Sequence, residues 1–231
     1  MNLLNVVFPK KCALCGEKSC EKDFLCEKCD ADLPVMKHTC AISDLSMNIV
    51  KGEESEEKIL SVYCALRYTG TVKKGIVNMK YGERPQVAEF LGYKMYDILL
   101  DSGYFNYNFA DFDYVVPVPA TDEKIKMRGY NQAELIARSF AQRANIPLLD
   151  GVLLKNDNII TQSSLDFAAR QRSVSGVYEL GDVSKILDKN IFLVDDILTT
   201  GATAIECARI LYKAGARLVV ALTASTGKKD I

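Results

Sequence analysis

Apolar residues fall into a few patterned runs along the 231-residue chain. Ile59 to Tyr68, rich in Leu, Val, Tyr and Cys, predicts a strand, and Tyr68-Thr69-Gly70 marks its end. Val72 to Lys80 and Pro85 to Leu100 carry apolar residues three and four apart, the spacing that gives a helix one apolar face. From Tyr114 the pattern alternates: strand-like runs at 114–119, 190–196 and 217–223, helical periodicity at 131–145 and 202–215, and a further predicted helix at 163–174. Strands alternating with helices of that length predict a mostly parallel sheet with flanking helices, an α/β fold.

Two segments precede this alternation. Residues 1–45 are dense in cysteine, and 46–57 are polar and acidic, so the chain reads as a small N-terminal unit, an exposed connection and an α/β domain over 58–231. Composition adds limits. With 48% apolar residues and a formal net charge of −1 the chain is globular, and a polyanionic partner must be met by a local basic patch. No apolar run has the length that spans a bilayer. Met1 to Pro9 lacks a basic start and runs into Lys10-Lys11-Cys12 without a small-residue cleavage site, so the expected location is cytoplasmic.

In a reducing compartment, clustered cysteines point to metal. Cys12-x-x-Cys15 and Cys26-x-x-Cys29 can each offer two thiolates to a tetrahedral Zn²⁺, and ligation would supply folding energy that so short a segment lacks. The unit is expected to fold apart from the α/β core. Cys20, His38 and Cys40 offer a second metal set, with a surface histidine as the plainer account, and Cys40-x-x-Ser43 looks like a knuckle short of its second thiol. Cys64 and Cys207 sit in apolar contexts and are expected in the core.

Within the last predicted strand–turn–helix, Asp195 and Asp196 end an apolar run and Thr199-Thr200-Gly201-Ala202-Thr203 follows. Ligands of such sheets gather at the carboxyl ends of the strands. A turn of small and hydroxyl residues at a helix start cradles phosphate, whereas two acids accept hydrogen bonds from sugar hydroxyls; a ribose 5-phosphate satisfies both. The plain alternative is an Asp helix cap with a solvated neighbour. Separately, Lys73, Lys74, Lys80 and Arg84 lie near Tyr68 and Tyr81, either a basic patch with aromatics for nucleic acid or a solvated helix face.

"IFLVDDILTTGAT" resembles the phosphoribosyl pyrophosphate (PRPP) motif of type I phosphoribosyltransferases. "DYVVPVPATDEKIKMRGYNQAELIA" and "TQSSLDFAARQRSVSGVYEL" resemble segments of the ComF (ComFC, competence protein F) family, whose zinc ribbon the N-terminal knuckles also match. The resemblance implies a zinc ribbon before a type I phosphoribosyltransferase-like domain. It implies Asp195 and Asp196 on the ribose hydroxyls, and Thr199, Thr200, Gly201, Ala202 and Thr203 on the 5-phosphate. Pro117, Val118, Pro119, Ala120 and Thr121 correspond to the pyrophosphate loop, to which Arg128 is also assigned, with Mg²⁺ carried by PRPP. Lys124, Lys126 and Arg128 fall where a mobile loop could close over the charge, with a solvated basic loop as the plain alternative. The implied role is DNA uptake in natural competence through single-stranded DNA, with other DNA-uptake proteins as partners. A PRPP-sensing regulator and an active phosphoribosyltransferase on an unidentified acceptor are the alternatives. Two departures matter: many purine-type relatives carry a third carboxylate where this chain has Thr199, and the degenerate second knuckle argues for one zinc.

Overall fold

The structure, a computed structural model, describes residues 11–17, 24–37, 44–51, 54–82, 84–156 and 176–228. A short helix α1 (Glu27–Ala31) precedes strands β1 (Asp44–Lys51) and β2 (Glu54–Arg67), then helices α2 (Gly70–Tyr81) and α3 (Gln86–Asp101). Strand β3 (Tyr114–Pro117) leads to helices α4 (Asp122–Arg128) and α5 (Gln132–Ala144) and to the short strands β4 (Leu153–Lys155) and β5 (Tyr178–Leu180). Strand β6 (Asn190–Leu198), helix α6 (Ala202–Lys213) and strand β7 (Leu218–Thr226) complete the order.

Five strands form the main sheet in the order β1-β2-β7-β6-β3. All neighbours are parallel except β1 and β2, which form an antiparallel hairpin. The inner strands read Ile-Phe-Leu-Val and Leu-Val-Val-Ala-Leu because both faces are covered. Alternation sends Phe192, Val194, Val220 and Leu222 into one core with α2, α3 and α5, and Ile191, Leu193, Val219 and Ala221 into the other with α6. The expected α/β architecture is therefore present. No helix among the described residues is long and apolar enough to cross a membrane.

The stretch read as an exposed connection, 46–57, instead carries most of β1 and the start of β2. Its polarity has a structural cause. β2 pairs with β7 only from Ser61 onward, so the outer half of the hairpin pairs with itself alone and runs beyond the sheet, where Glu56 and Glu57 stay in water. The helix expected at 163–174, and the second metal set of Cys20, His38 and Cys40, lie outside the described residues.

The N-terminal knuckles do not stand apart from the α/β core. Cys12, Leu14, Leu25 and Cys29 are buried in the same cluster as Val72, Ile76 and Met79 of α2. Gly75 lets the first knuckle sit directly on α2, since a Cβ there would meet Leu14 Cδ2 at 2.7 Å. Phe24 packs on Phe90 and Tyr93 of α3 at centroid distances of 6.1 and 5.6 Å. Arg84, in the α2–α3 turn, donates from Nη2 to the Cys12 carbonyl at 2.7 Å. Beyond α1 the chain joins β2, with Met36 N–H donating to the Ala65 carbonyl at 3.0 Å and Arg67 N–H to the Pro34 carbonyl at 2.8 Å.

A shared core means shared unfolding. Cys26→Ser, which removes one of four thiols, is expected to lower both bound zinc and the melting temperature of the main transition. Calorimetry with metal analysis checks this, and a main transition left in place while the zinc is gone contradicts it.

Candidate functional site

The site is built at a mismatch between two neighbouring strands. β3 pairs with β6 from Tyr114↔Ile191 to Pro117↔Val194 and stops, while β6 continues beside β7 to Leu198. After Pro117 the chain makes one more bond, Val118 N–H to the Val194 carbonyl at 2.9 Å, and turns away toward α4. Residues 195–198 therefore have a free flank where β3 would have run. A cavity of about 290 Å³ opens there, with Asp195 and Asp196 on its wall.

Consecutive strand residues point to opposite faces, so the two acids meet different surroundings. Asp196, on the α2 side, takes Lys80 Nζ at 2.5 Å on Oδ2. Asp195, on the α6 side, lies near Tyr178 and Cys207, and its Oδ1 accepts from the Asp196 N–H at 2.8 Å. Burial, and then the Asp196 carboxylate, raise the Asp195 carboxyl to about 7. Burial also pushes the Tyr178 phenol up, with the Cys207 and Asp195 charges adding to it, so that it stays a neutral donor. Both acids reach one cavity because the missing flank of β3 exposes the strand edge between the faces.

Cations share the cavity with the acids. Lys80, Lys124, Arg128 and Lys155 all line the cavity, four positive groups around two carboxylates in a chain whose net charge is −1. Lys124, Lys126 and Arg128, expected in a mobile loop, instead belong to α4. Thr121 caps that helix, its Oγ1 accepting from the Lys124 N–H at 3.3 Å, and Gly129 ends it at φ +82°. The Arg128-Gly129-Tyr130-Asn131-Gln132 run then joins three walls. Tyr130 OH donates to the Met79 carbonyl of α2 at 2.5 Å, and Asn131 Nδ2 donates to the Val118 carbonyl at 3.0 Å. Asn131 Oδ1 also caps α5 by accepting from the Ala133 N–H at 3.1 Å.

The phosphate turn of the sequence reading lies between β6 and α6. Gly201 caps α6 at φ +83°, and any Cβ there would meet Leu45 Cδ1 of β1 at 2.5 Å, so glycine is required twice over. Thr200 Oγ1 accepts from the Ala202 N–H at 3.3 Å. Of the residues assigned by resemblance, Asp195, Asp196, Thr203, Val118, Pro119, Ala120 and Arg128 line this cavity. Pro117 lines a neighbouring cavity of about 370 Å³, which also takes Pro119 and Ala120. Thr199, Thr200, Gly201 and Ala202 form the adjoining turn.

Among the other cavity residues, Lys80, Asn131, Gln132, Lys155 and Tyr178 were not assigned to this site from sequence. Lys80 was placed in a basic patch, which the fold divides: Arg84 is committed to the Cys12 carbonyl, Lys80 to Asp196, and Lys73 lies over Tyr68 at 5.9 Å. Asn131 and Gln132 sit inside a quoted motif. Lys155 and Tyr178 pair at 3.1 Å across β4 and β5, a contact between residues 23 apart that no local pattern announces.

The sulfurs of Cys12, Cys15, Cys26 and Cys29 all lie within 4.8 Å of one another. Cys15 Sγ and Cys26 Sγ are 3.8 Å apart, the edge of a tetrahedron with Zn–S bonds of about 2.3 Å. Burial raises the Cys12 thiol, but N–H donors at Cys15, Cys26 and Leu14 outweigh it and leave the group lowered to about 7. The donor set fits one structural Zn²⁺.

Asp195 makes stability depend on pH. Its folded-state pKa is raised, so the native protein keeps a proton that the unfolded chain releases between pH 4 and 7, and stability falls across that window. Asp195→Asn, which retains an oxygen acceptor for the Asp196 N–H, should match the parent near pH 4 and exceed it at pH 8 by roughly 4 kcal/mol. Urea unfolding at the two pH values measures this; equal stability at pH 8 contradicts it.

Residues 3–61 match a family model described as a double zinc ribbon domain. Competence protein F of Haemophilus influenzae is 32% identical over 103 residues, covering 44% of this chain and 44% of that protein. DNA utilization protein YhgH of Escherichia coli K12 is 26% identical over 107 residues, 46% of each chain. The match thus spans less than half the length of these curated relatives. A solved glutamine PRPP amidotransferase from B. subtilis, described as complexed with ADP and GMP, overlays at a TM-score of 0.42 with 20% identity, covering 78% of this chain and 36% of that one. So loose an overlay adds no weight to the fold, which rests on strand order and register. The chain is similar over part of its length to competence protein F and YhgH, and it carries a double zinc ribbon match at its N-terminal end.

Proposed function

We propose that the cavity binds a ribose 5-phosphate unit, as part of Mg²⁺-PRPP, in a protein that works in competence or DNA utilization. The observation that carries this reading is the meeting of Asp195 and Asp196 in one cavity, beside the glycine-capped start of α6 and among Lys80, Lys124, Arg128 and Lys155. Carboxylates repel phosphate and accept from hydroxyls; a helix start and ammonium groups do the reverse. A ligand with both an anionic end and a vicinal diol satisfies the two halves together. Mg²⁺ would come with the phosphates, as hard oxygen ligands favour. The names of the relatives support the DNA-related role. Transfer to an acceptor and sensing of PRPP use the same seat, and release of pyrophosphate from bound PRPP separates them.

Single-stranded DNA is the second reading, favoured by Tyr81. Its ring is 69% exposed at the cavity, with the Arg128 guanidinium 5.3 Å from the ring centroid, which is a stacking platform beside a cationic seat.

Mg²⁺-PRPP at a hundredfold its dissociation constant should stabilise the fold by about 2.7 kcal/mol. For a chain of this size that raises the melting temperature by roughly 5 to 10 °C. Asp195→Asn combined with Asp196→Asn should weaken binding on the order of a hundredfold, since hydrogen bonds to charged groups contribute about 1.5 to 3 kcal/mol each. A 5′-phosphorylated oligodeoxynucleotide added to the PRPP complex reports the second reading by competing for the seat. No melting shift with PRPP, or an unchanged affinity in the double variant, sinks the ribose assignment.

A further inference from the structure

Helix α2 carries two cavity residues, Lys80 and Tyr81, in its last turn, yet its own sequence holds it poorly. Two glycines, four β-branched residues and an asparagine make up more than half of its twelve residues, and all of these are weak helix formers. Thr69 makes no side-chain cap bond, the first turn has no acid, and Lys73 there opposes the helix dipole. Such a helix keeps its form through what packs on it.

The first cysteine knuckle supplies that packing on both sides of Lys80 and Tyr81. On one side Leu14 occupies the space that a Cβ on Gly75 would need. On the other, the Arg84 guanidinium lies against Gly16, where a Cβ would meet Nη1 at 3.0 Å and Cζ at 3.4 Å. Arg84 Nη2 donates to the Cys12 carbonyl at 2.7 Å, and that same carbonyl accepts from the Gly16 N–H at 3.0 Å, the bond that closes the turn after Cys15. Arg84 is thus seated on the backbone of the turn that carries two of the four thiols. Between the two grips, Lys80 Nζ rests on Asp196 Oδ2, which fixes one carboxylate oxygen and offsets part of the repulsion between Asp196 and Asp195.

We propose that Arg84 is a positioning residue that couples the four-thiol site to the cavity: the knuckle turn, ordered when its cysteines hold metal, seats Arg84, and Arg84 keeps the end of α2, with Lys80, on Asp196. Two states of α2 are involved, one with its last turn docked and one with that turn frayed. Only the docked state presents Lys80 to Asp196. A loaded thiol site and a ligand on the Asp195–Asp196 wall both favour the docked state, so each raises the affinity for the other by the same factor. The choice of ribose 5-phosphate as probe rests on the ribose reading; the link from Cys12 through Arg84 to Lys80 does not.

Ribose 5-phosphate is titrated calorimetrically into the zinc-loaded full chain as parent, Arg84→Met, Lys80→Met and the two substitutions together. Arg84→Met, outside the cavity lining, should weaken the probe by roughly fivefold or more. Lys80→Met should cost at least as much, and the double variant should stay within about twofold of Lys80→Met, because one substitution acts through the other. Losses that multiply in the double variant, or an Arg84→Met affinity equal to the parent's, overturn the proposal. Gly16→Ala approaches the same contact from the knuckle side with no change of charge, and a loss in Arg84→Met that Gly16→Ala does not share assigns the effect to charge and overturns it too. The two variants reach one contact from opposite sides, so the test survives the misfolding of either. Saturating ribose 5-phosphate should also slow transfer of zinc to a chelator by roughly fivefold in the parent and by less than about twofold in Arg84→Met; equal slowing in both contradicts the coupling. A parent that does not bind ribose 5-phosphate removes the ribose reading alone. The link is then judged by the Lys80 ammonium signal in ¹H–¹⁵N spectra, assigned through Lys80→Met: broadening by solvent exchange in Arg84→Met and Gly16→Ala upholds it, and a signal kept in both overturns it.

Discussion

Because β3 leaves the sheet after pairing Pro117 with Val194 while β6 continues to Leu198, the last part of an inner strand has a neighbour on one side only. An inner strand is normally hidden on both flanks and both faces, which is why β6 begins as Ile-Phe-Leu-Val. Its final residues escape that rule, and there the sequence changes to carboxylates. Alternation then places Asp195 and Asp196 on opposite faces, and the open flank lets both look into the same space. A β3 extended by two residues would close the flank and take both acids further from water, at a desolvation cost of several kcal/mol per ion.

From this geometry the electrostatics follow. One acid meets Lys80 on the α2 side, and the other lies against Tyr178 and Cys207, where burial holds its proton to about neutral pH. Two adjacent carboxylates in unlike environments take unlike roles. The cations come from three separate elements, α2, α4 and β4, so the basic patch required by a near-neutral chain exists only after folding. The N-terminal knuckles reach this site indirectly. They pack on α2, which carries Lys80 and Tyr81 at its end, and Arg84 ties the following turn to Cys12.

Much of this was legible in the chain, for identifiable reasons. Parallel strands covered on both faces are continuous apolar runs, so β6 and β7 declare themselves, and α5 and α6 show the spacing of one buried face. The Cys-x-x-Cys pairs carry their geometry in their spacing. The strand over Ile59–Tyr68 was legible, but the rest of the hairpin, 46–57, was read as a connection because it is polar and has no apolar period. Helix α4 was read as a loop because it buries no residue and stands on its caps, Thr121 and Gly129. Lys155, Tyr178 and Lys80 converge through long-range packing, and no window of sequence holds more than one of the three walls. Gln132 shows the limit most clearly: its place in a motif was visible, but an amide whose oxygen accepts from Arg128 and whose nitrogen has no partner among the described residues can be recognised only in three dimensions.

The central claim is that Asp195 and Asp196 exist to hold the diol of a phosphorylated ribose. Calorimetric comparison of ribose 5-phosphate with its 2,3-dideoxy analogue tests it most directly, because the protein is untouched and only the two hydroxyls are removed. Loss of two hydrogen bonds to carboxylates should weaken binding at least tenfold and on the order of a hundredfold. An analogue that binds within twofold of ribose 5-phosphate would contradict the claim.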